Sequence, residues 1–381
     1  MPEIMNVGII GYGMIGKVHA FAHAAQPWYA PDLPIKGRIL SVATAHEETA
    51  RTACDQIGAK NAFTDFRKIT EDPEIDIVHI CTPNDQHLDP LLSALENNKY
   101  IYCDKPLCST KEEADRIMEK IRETAYKKTS QMTFHLRFFT ANQRAKQILS
   151  EGRLGRIYQY RIGYYHSSST DPSTPYKWKH GAAGGVIRDL VSHQIDLIDY
   201  LIGSPSEILA DSMIAWEKRS LAGSENKTEA VLAEDSVSLL THHRIGNSPV
   251  AGVVEATKLA SGYEDELRWE IHGEKGSLRF SLMNSHYLEF FDGTKEAAPF
   301  GGDSGWTRIA CGGRYEKPDS TFPSPKSTTG WIRAHVASLS HFLQAIAKGE
   351  KGAPDLLQGY HIQLLLDKIA ESAREKKWIQ I

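Results

Sequence analysis

The sequence is short of cysteine. Five are spread over 381 residues (Cys54, Cys81, Cys103, Cys108, Cys311), an odd number with no CxxC pair and no zinc-like spacing. That excludes a disulfide-stapled miniprotein and fits a reduced, cytoplasmic chain. Cys81 and Cys103 fall in apolar runs, where a free thiol behaves as a small hydrophobe. No apolar run approaches the roughly 20 residues that span a bilayer. Met1–Ile10 has no basic leader and runs straight into a strand pattern, so no signal peptide is expected. Neither sign of charge dominates: 44 Lys and Arg against 48 Asp and Glu leave −4. Without a basic surplus, nucleic acid and anionic membrane are not expected partners. What is present is an ordinary globular composition, 41% hydrophobic and 24% charged. The length predicts two domains, and the partner is expected to be small.

Short apolar runs alternate with helical patterns through the first third. Ile4–Ile10, Ile39–Ala43, Ile75–Cys81, Tyr100–Cys103 and Gln131–Phe138 read as strands; Met14–Gln26, Glu47–Ile57, Gln86–Asn97 and Lys111–Lys127 read as helices. Such alternation gives βαβ units and a parallel sheet. After about Ala141 the texture changes. Ile157–Tyr165 alternates like a half-exposed strand, a polar loop follows, and Gly185–Ile202 reads as a long helix. From Glu207 to about Phe291 strand-like segments run on without helices, the mark of an antiparallel sheet with one open face. Gly293–Thr329 reads as loop, and two helices, Trp331–Lys348 and Asp355–Glu375, close the chain.

Gly11-Tyr12-Gly13-Met14-Ile15-Gly16 is a GxGxxG directly after the first strand and opening a helix. The first Gly permits the tight turn, the second lets backbone approach a pyrophosphate, and the third lets helix pack on strand. The helix N-terminus adds amide donors and positive dipole. The context asked of a dinucleotide turn is met. The fold class expected is an α/β Rossmann domain over 1–140 that binds dinucleotide. Residues 141–381 are expected to form an α+β domain with a large, mainly antiparallel sheet, for substrate binding and oligomerisation, its C-terminal helices packing back. Cofactor choice stays open. The second strand ends Ala43-Thr44-Ala45-His46, with no carboxylate for a ribose 2′-hydroxyl until Glu47 and Glu48, and no Arg for a 2′-phosphate. A Pro-rich insertion (Pro27, Pro31, Pro34) accounts for the delay after Gly16. NAD is the first expectation, with NADP possible and Thr44 and His46 at the ribose.

Strand five ends Cys103-Asp104-Lys105-Pro106. Ligands of an open parallel sheet sit beyond the carboxyl ends of its strands, where Lys105 falls, and Pro106 pushes it towards an extended backbone. Beside a nicotinamide it would serve as proton acceptor or hydroxyl-orienting donor; the alternative is a solvated surface lysine.

Here the sequence resembles the Gfo/Idh/MocA family of sugar and polyol dehydrogenases. GYGMIGKVHA (11–20) is similar to its nucleotide turn, CTPNDQH (81–87) to its strand-four loop, and CDKP (103–106) to its Glu-Lys-Pro motif, with Asp104 in place of Glu. The resemblance continues through Gly184-Gly185, Asp189 and His193 to the last helices. It implies that Lys105 lies beside the nicotinamide and that Thr82, Pro83, Asn84 and His87 line the cofactor cleft with Asp104. It also implies a homodimer or homotetramer.

In GGVIRDLVSHQIDLIDYLIG (184–203), Ile187, Val191, Ile195, Ile198 and Ile202 form an apolar side; Asp189, His193, Asp196 and Tyr200 share another. Spacing alone allows a surface Asp–His pair worth a few tenths of a kcal/mol, or an acid/base dyad built on an imidazole that titrates near neutrality. No second His or Cys completes a metal site, so none is expected. The resemblance favours Asp189 and His193 as substrate-hydroxyl ligands. Arg137, in a stretch similar to the family's substrate-proximal turn, and Tyr165, His166 and Trp178, flanking the polar loop, are further substrate contacts. The expected activity is oxidation of a secondary hydroxyl of a sugar, sugar derivative or cyclitol. Catalysis would rest on Lys105, Asp189 and His193. Two rivals stand beside it: an NAD-retaining enzyme that cleaves glycosides through transient oxidation, and a cofactor-binding regulator.

Overall fold

A computed structural model describes residues 2–328 and 330–381. Met1 and Thr329, where the expected first domain starts and the expected loop ends, lie outside the described residues. The chain divides into two compact units. One runs to Phe138 and takes in Gly313–Gln363; the other holds Phe139–Gly312 and Leu364–Ile381.

The first unit opens with β1 (Glu3–Ile10), α1 (Met14–Tyr29), β2 (Ile35–Ala43), α2 (Glu47–Ile57), β3 (Asn61–Phe63) and α3 (Arg67–Thr70). It continues with β4 (Ile77–Ile80), α4 (Leu88–Glu96), β5 (Tyr100–Cys103), α5 (Lys111–Glu123) and β6 (Ser130–Met132). The six strands are parallel in the order β3-β2-β1-β4-β5-β6, a doubly wound Rossmann sheet. Its topological switch lies between β1 and β4, the crevice where such sheets take ligands. Parallel strands are covered on both faces and so read as continuous apolar runs: Val7, Ile9, Ile77, Val78, Ile80 and Ile101 are all buried. Val336, Leu339, Phe342 and Leu343 from the later insertion complete this core.

The second unit begins with α6 (Thr140–Ser150), β7 (Ile157–Tyr165), α7 (Ser192–Ile202), β8 (Glu207–Met213) and the hairpin β9 (Lys218–Leu221) and β10 (Ser224–Ala230). Then come β11 (Ser236–Ile245), β12 (Ser248–Thr257), β13 (Glu266–Gly273), β14 (Gly276–Ser281), β15 (Tyr287–Asp292) and β16 (Trp306–Ala310). Of the remaining elements, α8 (Gly330–Lys348) and the start of α9 (Leu356–Glu375) belong to the first unit, and the rest of α9 and β17 (Ile379–Gln380) to the second. A nine-stranded sheet runs β16-β15-β14-β13-β7-β12-β11-β8-β17, antiparallel except where β7 and β12 pair in parallel. Alternate residues of β7, namely Tyr160, Ile162 and Tyr164, are buried while Gln159 and Arg161 are exposed, as a sheet covered on one face requires. No described helix is long and apolar enough to cross a membrane.

Four expectations are corrected, and one strand, β3, is not among those expected. The strand expected over Gln131–Phe138 stops at Met132, and His135–Phe138 is a 3-10 turn; a short buried apolar run has the same signature in either form. β3 has no apolar run to announce it. Pro27 lies inside α1 rather than in an insertion, in the last turns, where one lost backbone bond is tolerated. β16 lies within the expected loop. The expected regular, amphipathic helix at 185–202 contains a π turn at Ile187–Val191, and α7 is buried nearly all round, Asp196 wholly and His193 with 6% exposure.

Candidate active site

The first unit builds a cradle at the switch point. Gly11 has φ +89°, and a Cβ there would stand 2.7 Å from the carbonyl of Cys81; only glycine allows β1 to turn so close to β4. A Cβ on Gly16 would meet the carbonyl oxygen of Gly11 at 2.2 Å. Gly13 is different: nothing lies within 4 Å of the position its Cβ would take. It is the N-cap of α1, and no side chain caps that helix. The uncapped first amides of α1, with the helix dipole behind them, suit a pyrophosphate. Tyr12 and Ile15 are half-buried and Met14 is exposed. At the end of β2, the hydroxyl of Thr44 donates to the carbonyl of His46 at 2.8 Å and lies 2.6 Å from that of Thr49. Glu47 is exposed and pairs with Arg51. The residues fit a dinucleotide, with a hydroxyl where a carboxylate usually reads the ribose.

The loops after β4 and β5 are tied together by His87. Its ring is wholly buried, with Nε2 2.9 Å from the carbonyl of Thr82 and Nδ1 3.1 Å from that of Pro106. Thr82 donates its hydroxyl to the carbonyl of Gln86, Pro83 precedes a short 3-10 turn, and Asn84 is buried at its start. Lys105 is half-buried and precedes Pro106 through a cis peptide bond. Asp104 accepts a 2.6 Å hydrogen bond from Thr133. His335 is pushed well below the ordinary histidine range, by burial first and then by His135, His19 and Lys105 nearby. His135 and His335 stack with ring centroids 4.1 Å apart. Arg137 is half-buried in the same 3-10 turn as His135.

In the second unit, Asp189 lies in the π turn. Its Oδ2 is 2.9 Å from the ammonium of Lys258 and 3.0 Å from that of Lys179. Glu234 holds the start of the turn: Ile187 donates its N–H to Oε1 at 2.7 Å, and Val186 donates to the backbone carbonyl. Burial raises the Glu234 carboxyl, against the pull of that amide. One turn on, the ring of His193 is 6.4 Å from that of Tyr164. Tyr164 donates to Asp265 at 2.9 Å, and His166 Nε2 is 3.0 Å from the same oxygen. Burial works to raise Asp265, but the hydrogen bonds from His166 and Tyr164 prevail and hold it below the usual carboxylate range. The arrangement offers fixed acceptors and donors of the kind that bind hydroxyl groups.

Residues 5–130 match the oxidoreductase family with the NAD-binding Rossmann fold, and residues 142–279 match the GFO/IDH/MocA C-terminal domain. The chain is 32% identical to levoglucosan dehydrogenase of Pseudarthrobacter phenanthrenivorans, over 99% of this chain and 98% of that one. The chain belongs to the Gfo/Idh/MocA family. It is an NAD-binding oxidoreductase. It is also 25% identical to inositol 2-dehydrogenase of Rhizobium meliloti, over 99% of both chains. A structure of levoglucosan dehydrogenase in complex with NADH and levoglucosan superposes with a TM-score of 0.92, at 30% identity and full coverage of both chains.

Within its own unit each expected site residue has a definite place. Gly11–Gly16, Thr44, Thr82–Asn84, Asp104 and Lys105 lie at the carboxyl ends of the parallel strands; His46 caps α2. Asp189, His193 and His166 share the helix-covered side of the large sheet with Tyr164. Tyr165 does not. It alternates to the other face, where its hydroxyl donates to Glu255 at 2.7 Å and its ring takes the guanidinium of Arg268. Trp178 is exposed on a 3-10 turn, its ring beside the ammonium of Lys179. Sequence reasoning passed over Tyr164, Asp265, Glu234 and Lys258. Two-residue alternation along β7 points to Tyr164, which shares its face with buried Tyr160 and Ile162; nothing local marks the other three.

Proposed function

We propose that the chain oxidises a secondary hydroxyl of an unphosphorylated sugar, sugar derivative or cyclitol, using NAD. The observation that carries this reading is the presence, four residues apart on one helical segment, of a lysine-held carboxylate, Asp189, and a buried imidazole, His193, in a chain whose first unit carries an NAD turn. The relatives named for levoglucosan and inositol support the substrate class. Bound NAD supplies a hydride acceptor at C4 of its nicotinamide. The protein does the rest. His193 takes the hydroxyl proton, and Lys105 steadies the oxygen as negative charge develops on it. Asp189 accepts a hydrogen bond from a substrate hydroxyl, and His166 and Arg137 make further substrate contacts. Thr44 stands at the ribose, so NADP is tested beside NAD.

The test is reduced-nicotinamide formation with levoglucosan, L-sorbose, myo-inositol, scyllo-inositol and further unphosphorylated sugars. At least one alcohol reduces NAD. Lys105→Met and His193→Ala each lose several powers of ten in turnover and still bind NADH. Near-normal turnover in either variant overturns that residue's role. No reduction by any polyol, with glycoside cleavage in its place, overturns the reading.

A further inference from the structure

Lys258 follows directly on β12, and its residue is only 8% exposed. Lysine is almost never buried without a partner, because desolvating its ammonium is costly. Here the partner is Asp189 Oδ2 at 2.9 Å. The lysine is anchored on both sides of its backbone: its N–H donates to the carbonyl of Asp235, and its own carbonyl accepts from Ser169, each at 2.9 Å. Lys179 reaches the same oxygen at 3.0 Å, but from a short turn and with its side chain 44% exposed against 11% for Lys258. Of the two ammonium groups, the one on the sheet can hold a fixed geometry. Asp189 in turn belongs to a π turn, a local insertion that aims side chains away from the regular helical rows.

We propose that Lys258 is a positioning residue that acts through Asp189, fixing the direction in which that carboxylate meets a substrate hydroxyl. The inference rests on Asp189 being a substrate ligand, as proposed above. A misplacement of about 1 Å at such a group costs on the order of 10²-fold in rate, so that is the effect expected of losing Lys258.

The experiment is a double-mutant cycle in the holoenzyme, read with NAD and whichever alcohol of the panel above gives the fastest turnover. Lys258→Met lowers kcat/KM by about 10²-fold, mostly in kcat, with NADH affinity unchanged. Asp189→Asn lowers it at least as much. The double variant Asp189→Asn/Lys258→Met is no worse than Asp189→Asn alone, because Lys258 has no further route to the substrate. Should Lys258→Met fail to fold, the double variant, in which the buried Lys258–Asp189 pair is removed whole and only the more exposed Lys179 loses its partner, carries the comparison with Asp189→Asn. Multiplicative losses in the double variant, or wild-type kcat in Lys258→Met, overturn the role of Lys258 and leave the dehydrogenase reading standing. Wild-type turnover in Asp189→Asn, or no NAD reduction by the unmutated protein, overturns the reading of the site and this inference with it.

Discussion

His79 and His19 meet Nδ1 to Nδ1 at 3.0 Å inside the first unit, neither more than 1% exposed. The other nitrogen of His79 lies 3.1 Å from His23 Nε2, and Cys81 Sγ lies 3.1 Å from His19 Nδ1. The rings touch in a chain rather than converging, and among the described residues no group of three or more such side chains could hold a metal ion. They are core. Burial pushes His19 down to about 4 and His23 down to about 3, and His79 well below the ordinary value.

That fixes the sign of an acid effect. Each ring binds its proton less tightly folded than unfolded, so stability is fullest above about pH 6.5 and is lost as pH falls towards 4. By pH 5 the loss is on the order of 2 kcal/mol for a ring such as His19. Urea unfolding at pH 7 and pH 5 checks this: the midpoint drops on acidification, and His23→Leu shows a smaller drop. An equal drop in that variant contradicts the assignment.

Two glycines of one turn are expected to fail differently. Gly11→Ala forces a Cβ against the Cys81 backbone at a positive φ, so it lowers thermal stability by 1 kcal/mol or more, on the order of the strain at such sites. Gly13→Val fills only open space, so the melting temperature holds while NADH affinity falls at least about tenfold through lost approach to the amides. Thermal melts beside NADH titrations separate the two.

Asp104 is one methylene shorter than the family's usual Glu, and its hydrogen bond from buried Thr133 is the compensation the structure offers. Thr133→Val removes it, which costs about 1 kcal/mol of stability and is expected to lower turnover about tenfold by loosening the neighbouring Lys105. Steady-state kinetics with an NADH titration check this; a drop in stability without a drop in turnover shows that the bond serves folding alone.

Glu234 is expected to matter as a hydrogen-bond acceptor rather than as a charge. Glu234→Gln keeps an oxygen for the Ile187 amide and stays within about 0.5 kcal/mol of the parent, whereas Glu234→Ala loses about 2 kcal/mol with a buried N–H left unmet. Urea midpoints of both variants decide it.

What was legible in the sequence was periodic or positional. Strand-helix alternation and the glycines at 11, 13 and 16 located the Rossmann sheet and its cradle, because apolar runs and φ requirements are local properties. β3 escaped because Asn61-Ala62-Phe63 has neither length nor a hydrophobic pattern. The π turn escaped because one extra residue in a helical turn leaves no compositional trace. Tyr164 and Tyr165 are identical neighbours, and only the pleat decides which faces His193. Lys258 reads in sequence as one more solvated lysine; its role depends on a partner 69 residues earlier in the chain, brought near by the fold.

The central claim is hydride transfer from a carbinol carbon to NAD. It is tested most directly by incubating the protein with NAD and levoglucosan or myo-inositol carrying deuterium at every C–H position, and weighing the reduced cofactor. The account predicts NADH one mass unit heavy, formed in step with ketone. Reduced cofactor without deuterium, or glycoside cleavage with no net NADH, would contradict it.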